Sequence, residues 1–266
     1  VEVGGELYER WVAFIGGGFD NTNNTGKAFF VIDIKSGDII KEFSGIEGMN
    51  YSFAAPLTAV DTNLDGFIDK IYIGDLGGQM WVFDVSFDGT SKKSNSKWTG
   101  KRLFIAPISD TEKHQIYYQP AVAFDRYRNP WVYFGTGDRE HPNDLLNPNE
   151  RFYAVKDNGV GNYPRSETDL SDVTSSNTFN PTSKDGWYII LEKITDQKLE
   201  KVLAKPVVFN KLVYFTTYTY STAANPCSVP GEARLYIVEY LSGAGALSVD
   251  DLIDLEGSPS QQRSKT

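Results

Sequence analysis

Oxygen-bearing side chains recur at a fixed spacing in the nine residues that begin at Asp61. They occupy positions one, three, five and nine of this segment and belong to Asp61, Asn63, Asp65 and Asp69. Gly66 stands at position six, where a sharp turn favours a residue without a Cβ atom. The main-chain carbonyl of Phe67 falls at position seven, where cation loops supply a backbone oxygen. Because Ca²⁺ accepts many oxygens in flexible geometry, whereas Mg²⁺ demands a tight octahedron and keeps its waters, the segment predicts a calcium site.

The residues that follow distinguish this segment from an EF-hand. Position twelve, where an EF-hand places a bidentate glutamate, is Tyr72. The stretch from Lys70 to Gly74 alternates and is β-branched or aromatic, which predicts a strand and not an exiting helix. Asp69 would therefore close the site. The alternative is a turn that merely connects two strands, because Asn, Asp and Gly dominate turns, but four ligand positions in register with the glycine favour the metal site.

The composition favours sheets over helices. Of the 266 residues, 14% are aromatic and 24 are glycine, a balance typical of strands and turns. A chain of this length can bury a substantial core and can still be one all-β domain. The net charge of −9 argues against a nucleic-acid partner, which requires a basic stripe, and it suits a protein that binds cations.

The cysteine content and the apolar segments restrict the possible classes of protein only slightly. Cys227 is the single cysteine, so no internal disulfide can form. No run of about twenty apolar residues occurs, and we expect no membrane span. The first residues show no basic segment followed by an apolar one, so a secretion signal, if there was one, has been removed or lies upstream.

A two-strand unit recurs along the chain, although its sequence is not repeated exactly. Each copy is an apolar strand, a glycine-rich turn and an aromatic strand that ends near an acidic residue. The copies are about forty to sixty residues apart, the spacing of propeller blades. They occur at 10–33, 70–84, 131–157 and 211–239.

These units predict an all-β fold, a modified β-propeller with quinoprotein-like blades. A β-sandwich also explains short strands, but it does not explain their recurrence at blade spacing. We expect a propeller domain at 1–255, with four to five blade-like units, and a polar C-terminal tail at 256–266. That number is low for a ring, so either the ring is small or it is incomplete in this chain. The start at Val1, in what matches the opening strand of a blade, favours an incomplete ring.

Two polar segments interrupt the blades. Residues 87–100 have the composition of an exposed hairpin tip, and residues 157–186 are rich in Ser, Thr, Asn, Asp and Pro. Long loops on a rigid scaffold are common recognition sites. A solvated excursion explains the composition equally well.

The stretch from Ala55 to Asp84 contains the predicted calcium loop and, just after it, Gly-Asp-Leu-Gly-Gly. It resembles the calcium-loop blade of the PilY family, the type IV pilus tip-associated adhesins and biogenesis factors, within their C-terminal β-propeller domain. Segments at 14–33, 132–157 and 186–227 are similar to neighbouring blades, so that the resemblance covers residues 10–240. Quinoprotein propellers share some of these blade sequences. The calcium loop and the sequence after it are more specific.

The resemblance implies a propeller at or near the pilus tip. Carried over position by position, it implies a Ca²⁺ cofactor held by Asp61, Asn63, Asp65, Asp69 and the Phe67 carbonyl. Calcium in this loop influences the balance between pilus extension and retraction in the family, and hence surface attachment and twitching motility. The implied partners are pilin or minor pilins and a host or abiotic surface. The implied location is the cell surface, with the periplasm or outer membrane as alternatives.

The competing class is an enzyme, a quinoprotein (PQQ-dependent) dehydrogenase, because those propellers also use calcium. Their calcium contacts the cofactor, whereas this loop is self-contained, and Cys227 alone cannot supply the vicinal cysteine pair that many of them carry. His114 and His141 match neither a nucleophile elbow nor a zinc site, and we expect both in exposed loops. A glycosidase-type carboxylate pair stays open. We expect no catalytic site and no organic cofactor.

Two further features are expected to be structural. Asp20 begins an Asn- and Thr-rich stretch whose spacing fits no ligand template, and a tight turn explains it. The tryptophans at the blade strands, Trp81, Trp131 and Trp187, are expected to pack between blades.

Overall fold

The computed structural model describes residues 2–3, 6–7, 9–86, 97–107, 113–142, 149–176, 179, 183–191, 193–195, 198–220, 231–246 and 264–265. This part of the chain is built from β-strands, with a 3₁₀ turn at Glu167–Asp169. It contains no helix that is long and apolar enough to cross a membrane. The short strands β1 (Glu2–Val3) and β2 (Glu6–Leu7) pair with each other.

Four larger sheets follow one another along the chain, and we call them blades A to D. Blade A contains β3 (Val12–Gly16), β4 (Ala28–Asp33) and β5 (Ile39–Ser44). Blade B contains β6 (Thr58–Val60), β7 (Lys70–Gly74), β8 (Gln79–Asp84) and β9 (Thr99–Ile105). Blade C contains β10 (Ala121–Phe124), β11 (Pro130–Gly135), β12 (Arg151–Lys156), β13 (Ser171–Asp172) and β14 (Gly186–Ile190). Blade D contains β15 (Lys193–Thr195), β16 (Lys198–Lys201), β17 (Val207–Phe209), β18 (Leu212–Tyr220), β19 (Gly231–Glu239) and β20 (Ser264–Lys265).

Three buried apolar clusters lie between successive blades. The cluster between A and B includes Phe29, Val31, Ile71, Ile73 and Trp81. The cluster between B and C includes Tyr72, Val82, Phe134, Tyr153 and Val155. The cluster between C and D includes Trp131, Phe152, Trp187, Val213 and Phe215. The expectation that the three tryptophans pack between blades is therefore confirmed, and each is at most 1% exposed.

Blades B and C are buried on both faces, which explains their nearly continuous apolar strands. In β7, Ile71 and Ile73 face blade A, whereas Tyr72 faces blade C. The innermost strands are also neighbours, because β10 contacts both β6 and β17. A two-layer sandwich buries one face of each sheet. Sheets stacked face to face around adjacent inner strands are the arrangement of a propeller.

In blades A, B and D, an acidic residue at the end of strand β4, β8 or β19 holds the turn that follows it. Asp33 accepts a hydrogen bond from the Lys35 amide at 2.8 Å, and Asp84 accepts one from the Ser86 amide at 3.0 Å. Glu239 does the same for the amide of Leu241 at 2.9 Å. In these three blades the recurring acidic residue is thus a turn-forming residue.

The segments that interrupt the blades differ in what the structure describes. Residues 87–96 lie outside the described residues, as does the predicted tail apart from Ser264–Lys265, which pairs with β19. Much of 157–186 is packed against the sheet, since Arg165 is 1% and Val173 0% exposed. The described part of that segment is therefore packed in part against the blades, whereas Val160, 70% exposed, lies in solvent.

Candidate calcium loop

The candidate loop connects β6 to β7 at one end of blade B. Val60 and Lys70 are the last paired residues of the hairpin, and the Asp69 amide donates to the Val60 carbonyl at 3.0 Å. The nine residues between these strands thus form a closed excursion. Gly66 has a φ of 92°, a conformation that a residue with a Cβ atom adopts only with strain.

The carboxylate of Asp61 is fixed by main-chain amides of its own loop. Its oxygens accept hydrogen bonds from Leu64 at 2.6 Å, from Gly66 at 2.8 Å and from Asn63 at 3.2 Å. Desolvation would raise the pKa of this carboxyl, but the amide donors outweigh that effect and lower its pKa. Asp61 is therefore held as an anion in the loop.

Asp69 is the buried end of the loop, with 2% of its surface exposed. Its Oδ2 accepts hydrogen bonds from the amide and the hydroxyl of Thr62, both at 2.7 Å. Its main-chain carbonyl accepts a bond from the Val85 amide at 2.7 Å. The first and last acidic positions of the loop are thus bound to the same short stretch of backbone.

The side chain of Asn63 lies between those of Asp65 and Asp69. Its Nδ2 is 3.1 Å from Asp65 Oδ2 and 3.5 Å from Asp69 Oδ1, so both carboxylates face one electropositive group. Its Oδ1 accepts a bond from the Asp65 amide at 2.8 Å. Asp65 Oδ1 in turn accepts one from the Phe67 amide at 2.9 Å.

The donor set has the chemistry that calcium requires, although its oxygens are not yet arranged around one point. Among the described residues, no three His, Cys, Asp or Glu side chains form a group that could hold a metal. Coordination by Asn63 through Oδ1 would require its side-chain amide to turn, because its Nδ2 now faces Asp65 and Asp69. No described group donates to the carbonyl of Phe67, which leaves that oxygen free to coordinate. Every donor is an oxygen, the ligand type of a hard cation.

A partly buried ion pair directly after the loop was not evident from the sequence. Lys70 Nζ lies 2.7 Å from Asp157 Oδ2 and joins blade B to blade C. The hydroxyls of Tyr72 and Tyr163 also donate to Asp157, at 2.8 and 2.9 Å. Burial would raise the pKa of Asp157, but the charge of Lys70 and these hydrogen bonds outweigh it and lower the pKa.

The Gly-Asp-Leu-Gly-Gly sequence forms the buried turn between β7 and β8. Asp75 is 0% exposed and accepts hydrogen bonds from Gly77, Gln79 and the Trp81 indole at 2.8 to 3.0 Å. Burial raises the pKa of Asp75 to about 7, although these donors lower it in part. The turn is a structural neighbour of the β7 strand and not part of the loop.

The expectation for His114 was wrong. This side chain is 1% exposed, and its Nδ1 lies 2.9 Å from Oε2 of Glu150, which also accepts a bond from the Thr136 hydroxyl at 2.6 Å. The histidine is buried because the segment that carries it packs against the residues after β11, where the Gly137 amide donates to the Gln115 carbonyl at 3.0 Å. His141 has a 67% exposed side chain, as expected, and bonds to Asp138 at 2.9 Å.

Asp20 forms a hydrogen-bonded turn, as expected. Its carboxylate accepts bonds from the amides and hydroxyls of Thr22 and Thr25 at 2.6 to 2.9 Å and from the Asn24 amide at 3.1 Å. Local donors therefore occupy both of its oxygens.

Sheets stacked face to face around adjacent inner strands define a β-propeller domain. Residues 2–162 match the family of the PilY1 beta-propeller domain, and the chain belongs to that family. The predicted all-β propeller fold and the family resemblance are therefore confirmed.

Similar proteins support the same family over most of the chain. The type IV pilus biogenesis factor PilY1 homolog of Xylella fastidiosa is 26% identical over 271 residues, which are 89% of this chain and 18% of that protein. The type IV pilus biogenesis factor PilY1 of Pseudomonas aeruginosa PAO1 is 24% identical, over 91% of this chain and 25% of its own length. The chain thus spans a quarter or less of these two relatives.

A solved structure shares the fold. The crystal structure of the Pseudomonas aeruginosa PilY1 C-terminal domain superposes with a TM-score of 0.66 and 18% identity. The match covers 90% of this chain and 57% of that one.

Proposed function

We propose that this domain is the calcium-binding propeller of a type IV pilus biogenesis factor and acts at the pilus tip. The observation that carries the proposal is the loop at 61–69, whose four oxygen-bearing side chains stand in ligand register on a blade of the PilY1 family. Calcium occupancy of this loop would set the balance between pilus extension and retraction, and with it attachment and twitching motility. The domain acts by binding and not by catalysis.

The expected site has one Ca²⁺ at about 2.3–2.6 Å from oxygens of its ligands. Those ligands are the side chains of Asp61, Asn63, Asp65 and Asp69 and the carbonyl of Phe67. The bound ion would neutralise three carboxylates that now depend on amide and hydroxyl donors. Because position twelve lacks a bidentate glutamate, we expect a dissociation constant in the range of about 10⁻⁶ to 10⁻³ M.

The proposed partners are pilin or minor pilins at the tip, and a host or abiotic surface. The acidic net charge of −9 is opposite to that of a nucleic-acid binder. The proposed location is the cell surface at the pilus tip, with the periplasm or the outer membrane as alternatives. The names of both relatives, which are pilus biogenesis factors, support this placement.

Calorimetry on the purified chain tests the calcium site. We expect one Ca²⁺ per chain in the wild type and none in Asp65→Ala, because that change removes a carboxylate which faces Asn63. Asp38→Ala is the matched control, since it removes an exposed aspartate from a turn in another blade. Equal calcium affinity in all three proteins, or no binding in the wild type, would overturn the proposal.

A cellular experiment tests whether occupancy is a switch. Asp65→Ala leaves Asp61 and Asp69 without the cation, whereas Asp65→Lys places an ammonium group near the cation position. If the loop regulates the pilus, the two variants change the number of surface pili in opposite directions. Disabling retraction should restore pili in the Asp65→Ala strain. An equal loss of pili in both variants and in every background would show a structural role alone.

A further inference from the structure

A residue of blade C reaches directly into the candidate calcium loop of blade B. Arg128 Nη2 donates a hydrogen bond to the main-chain carbonyl of Thr62 at 2.9 Å. Arg128 belongs to the hairpin loop between β10 and β11, which is the counterpart, in the next blade, of the loop between β6 and β7. The two loops are 66 residues apart in sequence but meet at the same end of adjacent blades.

The loop that carries Arg128 has a defined shape. Asp125 accepts hydrogen bonds from the amides of Tyr127 at 2.8 Å and Asn129 at 2.9 Å. Its Oδ2 also accepts one from the Asn129 side chain at 2.9 Å. Arg128 has a φ of 65°, which a non-glycine residue adopts only where its surroundings fix it. The guanidinium is therefore presented from a constrained turn.

Thr62 is the residue through which a contact can act on the ligand set. Its amide and hydroxyl hold Asp69, and the peptide group that bears its carbonyl also bears the amide of Asn63. That amide points to Asp61 at 3.2 Å and to Asp69 at 3.3 Å. Since the two ends of a peptide group point in opposite directions, a donor on the carbonyl fixes the amide towards the carboxylates.

We propose that Arg128 is a positioning residue for the calcium loop and couples its occupancy to blade C. The inference rests on the proposed calcium function and adds its route of transmission. Because coupling between two sites is reciprocal, a contact that strengthens calcium binding must itself be strengthened when calcium binds. Occupancy of the loop would then tighten the hairpin of the neighbouring blade.

The positive charge of Arg128 acts in the opposite direction, because it repels a cation. The charged groups nearby are the three loop carboxylates, Asp125 and a second arginine, Arg126, which stacks on Tyr127 with its guanidinium carbon 4.5 Å from the ring centre. Both arginines are exposed, so water and salt screen their charges. Arg126 has no hydrogen bond to the calcium loop among the described residues, and it therefore provides a control for charge alone.

Calcium titration of Arg128→Ala and Arg126→Ala separates the two effects. We expect Arg128→Ala to weaken calcium binding about three- to tenfold, the effect of one charge-assisted hydrogen bond at an exposed site. Arg126→Ala should leave the affinity within about twofold of the wild type, because a screened surface charge contributes little. Equal unfolding midpoints of both variants in calcium-free buffer would show that the fold is intact.

Hydrogen exchange tests the coupling itself. Calcium should slow amide exchange in residues 121–135 of the wild type and of Arg126→Ala, and should not slow it in Arg128→Ala. Unchanged or tighter calcium binding by Arg128→Ala overturns the inference, as does calcium-induced protection that survives this change. Failure of the wild type to bind calcium is a different outcome, since it overturns the proposed function before any variant is compared.

Discussion

Asp157 joins two blades through a single carboxylate. It is 2% exposed, and three side chains donate to it, from Lys70 and Tyr72 in blade B and from Tyr163 in blade C. Lys70 directly follows Asp69, the last ligand position of the candidate loop. The last ligand position of the loop is therefore adjacent in sequence to the ion pair that fixes blade B against blade C.

The lowered pKa of Asp157 predicts a particular dependence on pH. A carboxyl whose pKa is lower in the folded state stabilises the fold above its unfolded pKa, near 3.8, and loses this contribution as the pH falls through the folded value. Asp157→Asn should lower the free energy of unfolding by about 1–3 kcal/mol at pH 7, since a buried charged bond is lost. The difference from the wild type should shrink below pH 3.8.

Urea unfolding at a series of pH values measures this difference. Asp38→Asn is the control, because its exposed position predicts a change within about 0.5 kcal/mol at every pH. A difference for Asp157→Asn that stayed constant down to pH 2 would contradict the assignment.

The hairpin connection after the innermost strand (β6, β10 or β17) takes a different form in three blades. Blade B has the loop of 61–69, blade C has the compact turn of 125–129, and blade D has the two-residue turn of Asn210 and Lys211. The last two residues have φ angles of 49° and 65°, as a tight hairpin requires. One position in the blade thus accommodates a candidate metal loop, a donor for that loop and a plain turn.

Gly66 provides a test of the loop as an element. Its φ of 92° disfavours any residue with a side chain, although no atom lies within 4 Å of the place of a Cβ. Gly66→Ala should lower the free energy of unfolding by about 1 kcal/mol and should also weaken calcium binding, since the Gly66 amide donates to Asp61.

Gly37 is a matched control for this change. It has a φ of 79° and equally open surroundings in a turn of blade A. Gly37→Ala should lower the stability by a similar amount and leave calcium affinity unchanged. Denaturant unfolding and calorimetry on both variants make the comparison. Loss of affinity in both variants, or in neither, would contradict a specific role for the loop backbone.

The whole molecule is held together by contacts between blades. Phe152 and Phe215 stack with ring centres 3.7 Å apart across the interface of blades C and D. Phe152 is 0% exposed, so its truncation leaves a cavity between two sheets. We expect Phe152→Ala to lower the free energy of unfolding by about 3–5 kcal/mol.

Phe209→Ala is the control for that substitution. Phe209 is 71% exposed at the end of the innermost strand of blade D, and its truncation should change stability by no more than about 0.5 kcal/mol. Thermal and denaturant unfolding followed by fluorescence would measure both variants. A small effect for Phe152→Ala would show that the blades are stable independently of their interface.

The sequence by itself determined the elements and the candidate ligand positions. Alternating apolar residues specify strands locally. The spacing between the recurring two-strand units reflects the number of residues in one blade. The segment that begins at Asp61 was equally predictable from the sequence, because the hydrogen bonds that its own side chains form within the loop join residues at most seven positions apart. Residues that are close together in the sequence are sufficient to specify such local structure. The assignment of calcium as the ligand of this segment remains a prediction.

Only the tertiary structure decided which residues distant in the sequence contact one another. His114 was expected at the surface but is buried against Glu150, 36 residues away. Asp157 meets Lys70 across 87 residues, and Arg128 meets Thr62 across 66. No local pattern marks these contacts, because a side chain's burial and partners depend on which blade packs against it. Stacking of the blades places the two hairpin loops side by side, and the order of residues along one strand cannot specify that placement.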